Sequence, residues 1–216
     1  MQGSIERVTA VIEGRMPDRA PLFDLLRNDA VINHFSGETL TLANAERVVP
    51  AAFPPAIDAT RSMRLPGREE TVTLDNGRER RSWRWTAWTS RRVYRDTAHY
   101  VAEKRAVLDS ADPTAWSDEQ QERLEASLAR QRAEDAGRGD FFFFHGCGSP
   151  GLSVLYEEIG LEQFSYLLAD APDIVDELLE FRTVQVVNHL KHYPEDHGVL
   201  GVFMGDDIAF RSGPRS

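Results

Sequence analysis

The chain is poor in several things, and each shortage excludes something. Cys147 is the single cysteine, so no internal disulfide framework exists. No apolar stretch approaches the roughly 18 residues that a membrane-spanning helix needs. The amino terminus, Met1-Gln2-Gly3-Ser4-Ile5-Glu6, has no basic region leading into a long apolar run. No secretory signal is legible there, and a cytoplasmic location is the default expectation. Basic residues are the minority, 25 against 35 acidic, for a formal charge of -10. That balance opposes non-specific nucleic-acid binding, whose affinity comes largely from neutralising phosphates. The basic residues that do cluster, Arg78 to Arg95, lie beside Trp83, Trp85 and Trp88. They alternate with apolar residues, which favours a solvated hairpin face over a platform for single strands. Internal repeats and low-complexity segments are absent.

What is present suffices for a core: 41% of the 216 residues are hydrophobic, enough for one large domain or two small ones. Ser4 is a candidate N-cap for a helix from Ile5 to Glu13, which Gly14 stops. A first short strand is expected over Ala20 to Leu26. Helical patterning returns near Asn28 to Phe35 and from Ala43 to Phe53, until Pro54-Pro55 interrupts it. Ala56-Ile57-Asp58-Ala59 reads as a second short strand. Alternating segments around Asp75-Asn76-Gly77 predict a β-hairpin, inserted over residues 71–95. Ser117 or Asp118 then caps a charged helix to about Gly137. Further helices are expected over Ser153 to Gly160, Leu161 to Leu168 and Asp173 to His192, the last opened by Pro172.

Four phenylalanines, Phe141 to Phe144, run into His145-Gly146-Cys147-Gly148-Ser149-Pro150. An apolar run without alternation reads as a strand buried on both faces of a parallel sheet. Val199 to Met204 repeats the pattern and exits into Gly205-Asp206-Asp207. Strands alternating with helices at this spacing predict a parallel α/β frame whose chemistry sits at the carboxyl ends of the strands. Four such strands do not close a barrel.

Four stretches, in order, give the chain a family likeness. They are Glu6-Arg7-Val8 through Ala20-Pro21, Gly148-Ser149-Pro150 through Tyr156, Gly160-Leu161-Glu162-Gln163-Phe164 through Asp170-Ala171-Pro172, and Gly205-Asp206-Asp207-Ile208-Ala209-Phe210. On these residues the chain resembles the uroporphyrinogen decarboxylase superfamily, which also holds cobalamin-dependent methyltransferases. The resemblance implies a (β/α)8 TIM barrel. Of that barrel, 1–216 would hold about the first four strand–helix units, C-terminally truncated, with the hairpin inserted.

The decarboxylase branch is cofactor-free and takes a carboxylated tetrapyrrole. There the resemblance implies that Arg27 begins a substrate-binding arginine loop, although Asn28-Asp29-Ala30-Val31 lacks that loop's second arginine. Asp58 would face the pyrrole nitrogens and stabilise the cation formed on protonation. Tyr156, six residues after Pro150, would position substrate or help deliver a proton. The methyltransferase branch would use zinc and a corrinoid partner protein, with His145 and Cys147 as a His-x-Cys pair; residues two apart on a strand share a face. No second cysteine accompanies that pair. Asp206 and Asp207, adjacent at a strand end, point to different sides. An inward carboxylate would bind a cation or substrate, and an outward one would cap a helix. A third expectation involves no catalysis: half a barrel leaves an open sheet edge, which could pair with a second copy or another partner.

Overall fold

The computed structural model describes residues 2–75, 77–206, 209–210 and 213–214. In chain order its elements are α1 (Ser4–Ile12), α2 (Asp29–Ser36), α3 (Ala45–Ala56), β1 (Ala59–Thr60), β2 (Glu70–Thr73), β3 (Glu79–Ser82), β4 (Ala87–Thr89), α4 (Thr97–Ser110), α5 (Asp118–Arg138), β5 (Phe142–Phe143), β6 (His145–Gly146), α6 (Leu152–Ile159), α7 (Leu161–Asp170), α8 (Pro172–Lys191), β7 (Val202–Phe203), β8 (Ala209–Phe210) and β9 (Gly213–Pro214). About half of the chain is helical, the sheets are small, and the described strands form no closed barrel. Two compact units divide it. One comprises residues 1–89, 127–146 and 197–203; the other comprises 90–126, 147–196 and 204–216.

The first unit holds the parallel strands. Phe23 bridges Ala59, β1 pairs with β5, and β6 pairs with β7, all parallel. β5 and β6 are one continuous ribbon. The amides of Phe142 and Phe144 donate to Asp58 and Thr60 on one side, and the His145 amide donates to Gly201 on the other. Four segments therefore lie in chain order, 23, 59–60, 142–146 and 202–203, as consecutive elements tend to. The alternation of a strand splits the phenylalanine run between two faces. Phe141 packs on the α3 side with Phe53, Val48 and Val49, and Phe143 flanks that cluster. Phe142 packs with Val8 of α1 and Ala59, flanked by Phe144. Gly201 lies close against that ribbon: a Cβ there would stand 3.1 Å from the Phe144 ring, which would have to shift to admit it.

Several boundaries differ from expectation for physical reasons. The first frame strand reduces to the single bridge at Phe23, and the last to Val202–Phe203. α3 does not stop at Pro54-Pro55; it carries Pro50, Pro54 and Pro55 to Ala56. An interior proline costs about 3 kcal/mol. α3 carries three, and full burial of Val48, Val49 and Phe53, about 1.5–3 kcal/mol each, works against that cost. The strand expected over 56–59 begins instead at Ala59, which moves Asp58 to its amino end. The inserted hairpin is a three-stranded antiparallel meander, β2–β3–β4. Its Asn76 lies outside the described residues, and Gly77 has φ of +77°. The meander is held to α2 by Asp29, which accepts from Arg84 Nε at 2.7 Å and Trp85 Nε1 at 2.7 Å.

The second unit is helical. Its core joins Tyr94 and Tyr100 to Leu155, Tyr156, Ile159, Phe164, Leu167, Ile174, Val175 and Leu178. Pro172 opens α8, as the sequence predicts. Ser117 precedes α5 in a reciprocal cap: Gln120 N donates to Ser117 Oγ, and Ser117 N donates to Gln120 Oε1. No helix among the described residues is long and apolar enough to cross a membrane.

Candidate functional site

Asp58 is 1% exposed and stands just before β1. Its carboxylate accepts from Arg7 Nη1 at 2.6 Å, Arg19 Nη1 at 2.6 Å, Ser4 Oγ at 3.0 Å and the Leu22 amide at 2.8 Å. Burial pushes its pKa up, but the bonds from Arg19, Leu22, Ser4 and Arg7 outweigh that and hold it at about 2. Arg7, 3% exposed, also donates to Asp18 at 2.8 Å. The expected carboxyl-end position is thus corrected. Asp58 lies at the opposite end of its strand, inside an ion-pair network that ties α1 to the sheet.

The other expected residues are dispersed. Asp206 caps a helix: its carboxylate accepts from the amides of Leu152 at 2.9 Å and Ser153 at 2.8 Å, the first turn of α6. The N-cap itself, Gly151, has no side chain to do this. Asp207 lies outside the described residues. Tyr156 is 5% exposed on α6, its ring 6.2 Å from that of Phe164. His145, in the first unit, points to the α5 side, with Nε2 2.9 Å from Asp135 Oδ2. Cys147 is buried in the second unit, and burial pushes its thiol pKa up, opposite to the shift a reactive thiolate needs. Among the described residues no three His, Cys, Asp or Glu side chains gather as a metal site.

Arg27 is the expected residue that does sit at a carboxyl end. It follows Leu26, which is buried yet has φ of +43°, the left-handed region. A non-glycine residue held there costs about 1 kcal/mol or more and marks a constrained loop. Loss of hydration, then the charges of Arg64 and Arg61, pull the Arg27 pKa down. These two residues, just past β1, belong to no motif. The usable signal was Thr60-Arg61-Ser62-Met63-Arg64: two arginines three apart at a strand exit, with no acidic residue between them. The Arg61 Cζ lies 4.5 Å from the centre of the Phe203 ring, within cation–π range. Phe203 stacks on Phe23 at 6.1 Å, and Phe23 meets Phe144 edge-on at 5.9 Å. These three rings line an apolar cavity of about 260 Å³ together with Val8, Val11 and Ile12 of α1.

The first unit therefore has an aromatic face on its parallel strands and arginines beyond the strand ends. Comparisons with family models, with curated proteins and with solved structures give no match to this chain.

Proposed function

We propose that this chain is part of a (β/α)8-type enzyme frame of the uroporphyrinogen decarboxylase-like kind, binding a tetrapyrrole or related small molecule that carries several carboxylates. One observation carries the reading: four parallel segments in chain order, with Arg27 beyond the carboxyl end of the first. Barrel enzymes work at that end of their strands, and guanidinium groups match carboxylates in geometry and charge. The ordered family-like stretches of the sequence support the same reading. Arg27 would hold a substrate carboxylate, and the aromatic cavity of the same unit would accept the uncharged body of the ligand. Asp58 has no part in this version, because it is at the other end of β1. The zinc- and corrinoid-dependent alternative gains no comparable support, since His145 is engaged by Asp135.

The test is a titration of uroporphyrin, which bears eight carboxylates, followed by its fluorescence. Octaethylporphyrin, which bears none, is the control. The reading expects saturable binding of the first only, weakened about tenfold in Arg27→Gln by loss of one charged hydrogen-bond partner. Equal behaviour of the two porphyrins would remove the carboxylate reading.

A further inference from the structure

The loops that leave the first two parallel segments are joined at their roots. Asp24 N donates to the Ala59 carbonyl at 3.3 Å, and Thr60 Oγ1 donates to the Asp24 carbonyl at 2.6 Å. Beyond the roots, Leu26 and Met63 enter the same apolar cluster. Arg27 follows Leu26, Arg64 follows Met63 and Arg61 stands two residues before it, so the two anchors carry the three arginines on neighbouring loops, close enough for the charges of Arg64 and Arg61 to act on Arg27. Arg61 is aimed there by Phe203, whose ring it covers. Several arginines of this chain pair with carboxylates, Arg84 with Asp29, Arg92 with Glu103 and Arg95 with Asp96, while others, such as Arg68, Arg80 and Arg130, stand singly among the described residues. Among the described residues Arg27, Arg61 and Arg64 have no such partner. Like charges gathered by packed anchors repel one another, and a bound anion would relieve that repulsion.

We propose that Arg27, Arg61 and Arg64 together form a binding site for a small polyanion, a molecule presenting two or more carboxylate or phosphate groups on one side. The site deepens the function proposed above and rests on it only for the choice of carboxylate over phosphate. Arg27 and Arg64 grip the oxyanions as planar forks. Arg61, restrained over Phe203, loses less rotamer freedom on binding than a free surface arginine would.

Calorimetric titration of the full chain with citrate and with pyrophosphate tests this, alongside the uroporphyrin titration. At least one of the two small probes should bind, more weakly as salt rises. Arg61→Gln/Arg64→Gln should lose at least about tenfold in affinity, Arg61→Lys/Arg64→Lys less, and the charge control Arg130→Gln nothing. Unchanged far-ultraviolet circular dichroism and melting establish that the variants fold. The site is overturned if neither small probe binds, or if the double glutamine variant binds as well as the parent. Pyrophosphate binding that needs Arg61 and Arg64, without uroporphyrin binding, keeps the site and rejects the tetrapyrrole.

Discussion

Asp58, a residue that looks catalytic in the sequence, is held in an ion-pair network in the structure. A carboxylate beside a strand in a family-like order invites a mechanistic role. Four donors surround this one, two of them guanidinium groups from Arg7 and Arg19. Its folded pKa of about 2 lies below the ordinary 3.8. The stability it supplies is complete above about pH 4 and is lost as pH falls towards 2. That loss is about 2 kcal/mol. Asp18, also held at about 2 by its bond from Arg7, sharpens the same acid transition. Asp58→Ala leaves buried Arg7 with Asp18 as its one remaining carboxylate and should destabilise the chain at pH 7 by about 3 kcal/mol. Urea melts at pH 7 and pH 3 check both points: the parent should weaken between them, while Asp58→Asn should start lower and change less. A variant with parental stability at pH 7 would show the network to be incidental. The sequence could not expose this role. The partners of Asp58 come from Ser4, Arg7 and Arg19, and no local pattern links positions 39 to 54 residues apart.

At the scale of elements, helix ends were the most legible feature and one helix was missed. Pro172 and Ser117 are local signals, and both mark helix starts as expected. α4 carries only Asp96, its N-cap, which accepts from the His99 amide at 2.7 Å. Among its side chains only Tyr100 is buried, so no apolar stripe betrays it. Two other helices use a device that local sequence also hides. α1 and α6 both follow a glycine, Gly3 and Gly151, and both are capped by a distant carboxylate. Asp140 takes the amides of Ser4 and Ile5 at 2.9 Å each, in place of the Ser4 cap expected, and Asp206 does the same for α6. A Cβ at Gly151 would fall 2.3 Å from the Asp206 carboxylate, so the glycine makes room for its cap. Asp206→Ala should cost about 1 kcal/mol. Gly151→Ala should cost a similar amount by displacing the same carboxylate. In a double-mutant cycle followed by thermal melting, the two losses should overlap rather than add. Full additivity would mean that the glycine acts through something other than this cap.

For the whole molecule, the parallel frame was legible because burial on both faces leaves an apolar run that few other structures tolerate. Phe141 to Phe144 announced it; Val202–Phe203 pairs beside it, but Val199 to Met204 is not buried on both faces as expected, since Leu200, Val202 and Met204 are exposed. The arginine edge was less legible. Arg61 and Arg64 become significant only once β1 is known to lie beside Phe23 and once Phe203 is known to stand under Arg61. Everything functional proposed for this chain depends on those segments running the same way in chain order, since only then do the loops after them share an edge. Backbone nuclear Overhauser contacts in the isotope-labelled chain measure this directly. The account expects the His145 amide proton to be protected from exchange and to show cross-peaks to Gly201 and Val202, and the Phe144 amide to do so with Thr60. Strong cross-peaks between the Hα protons of facing residues, the mark of antiparallel pairing, or no contact between 145 and 201–202, would contradict it.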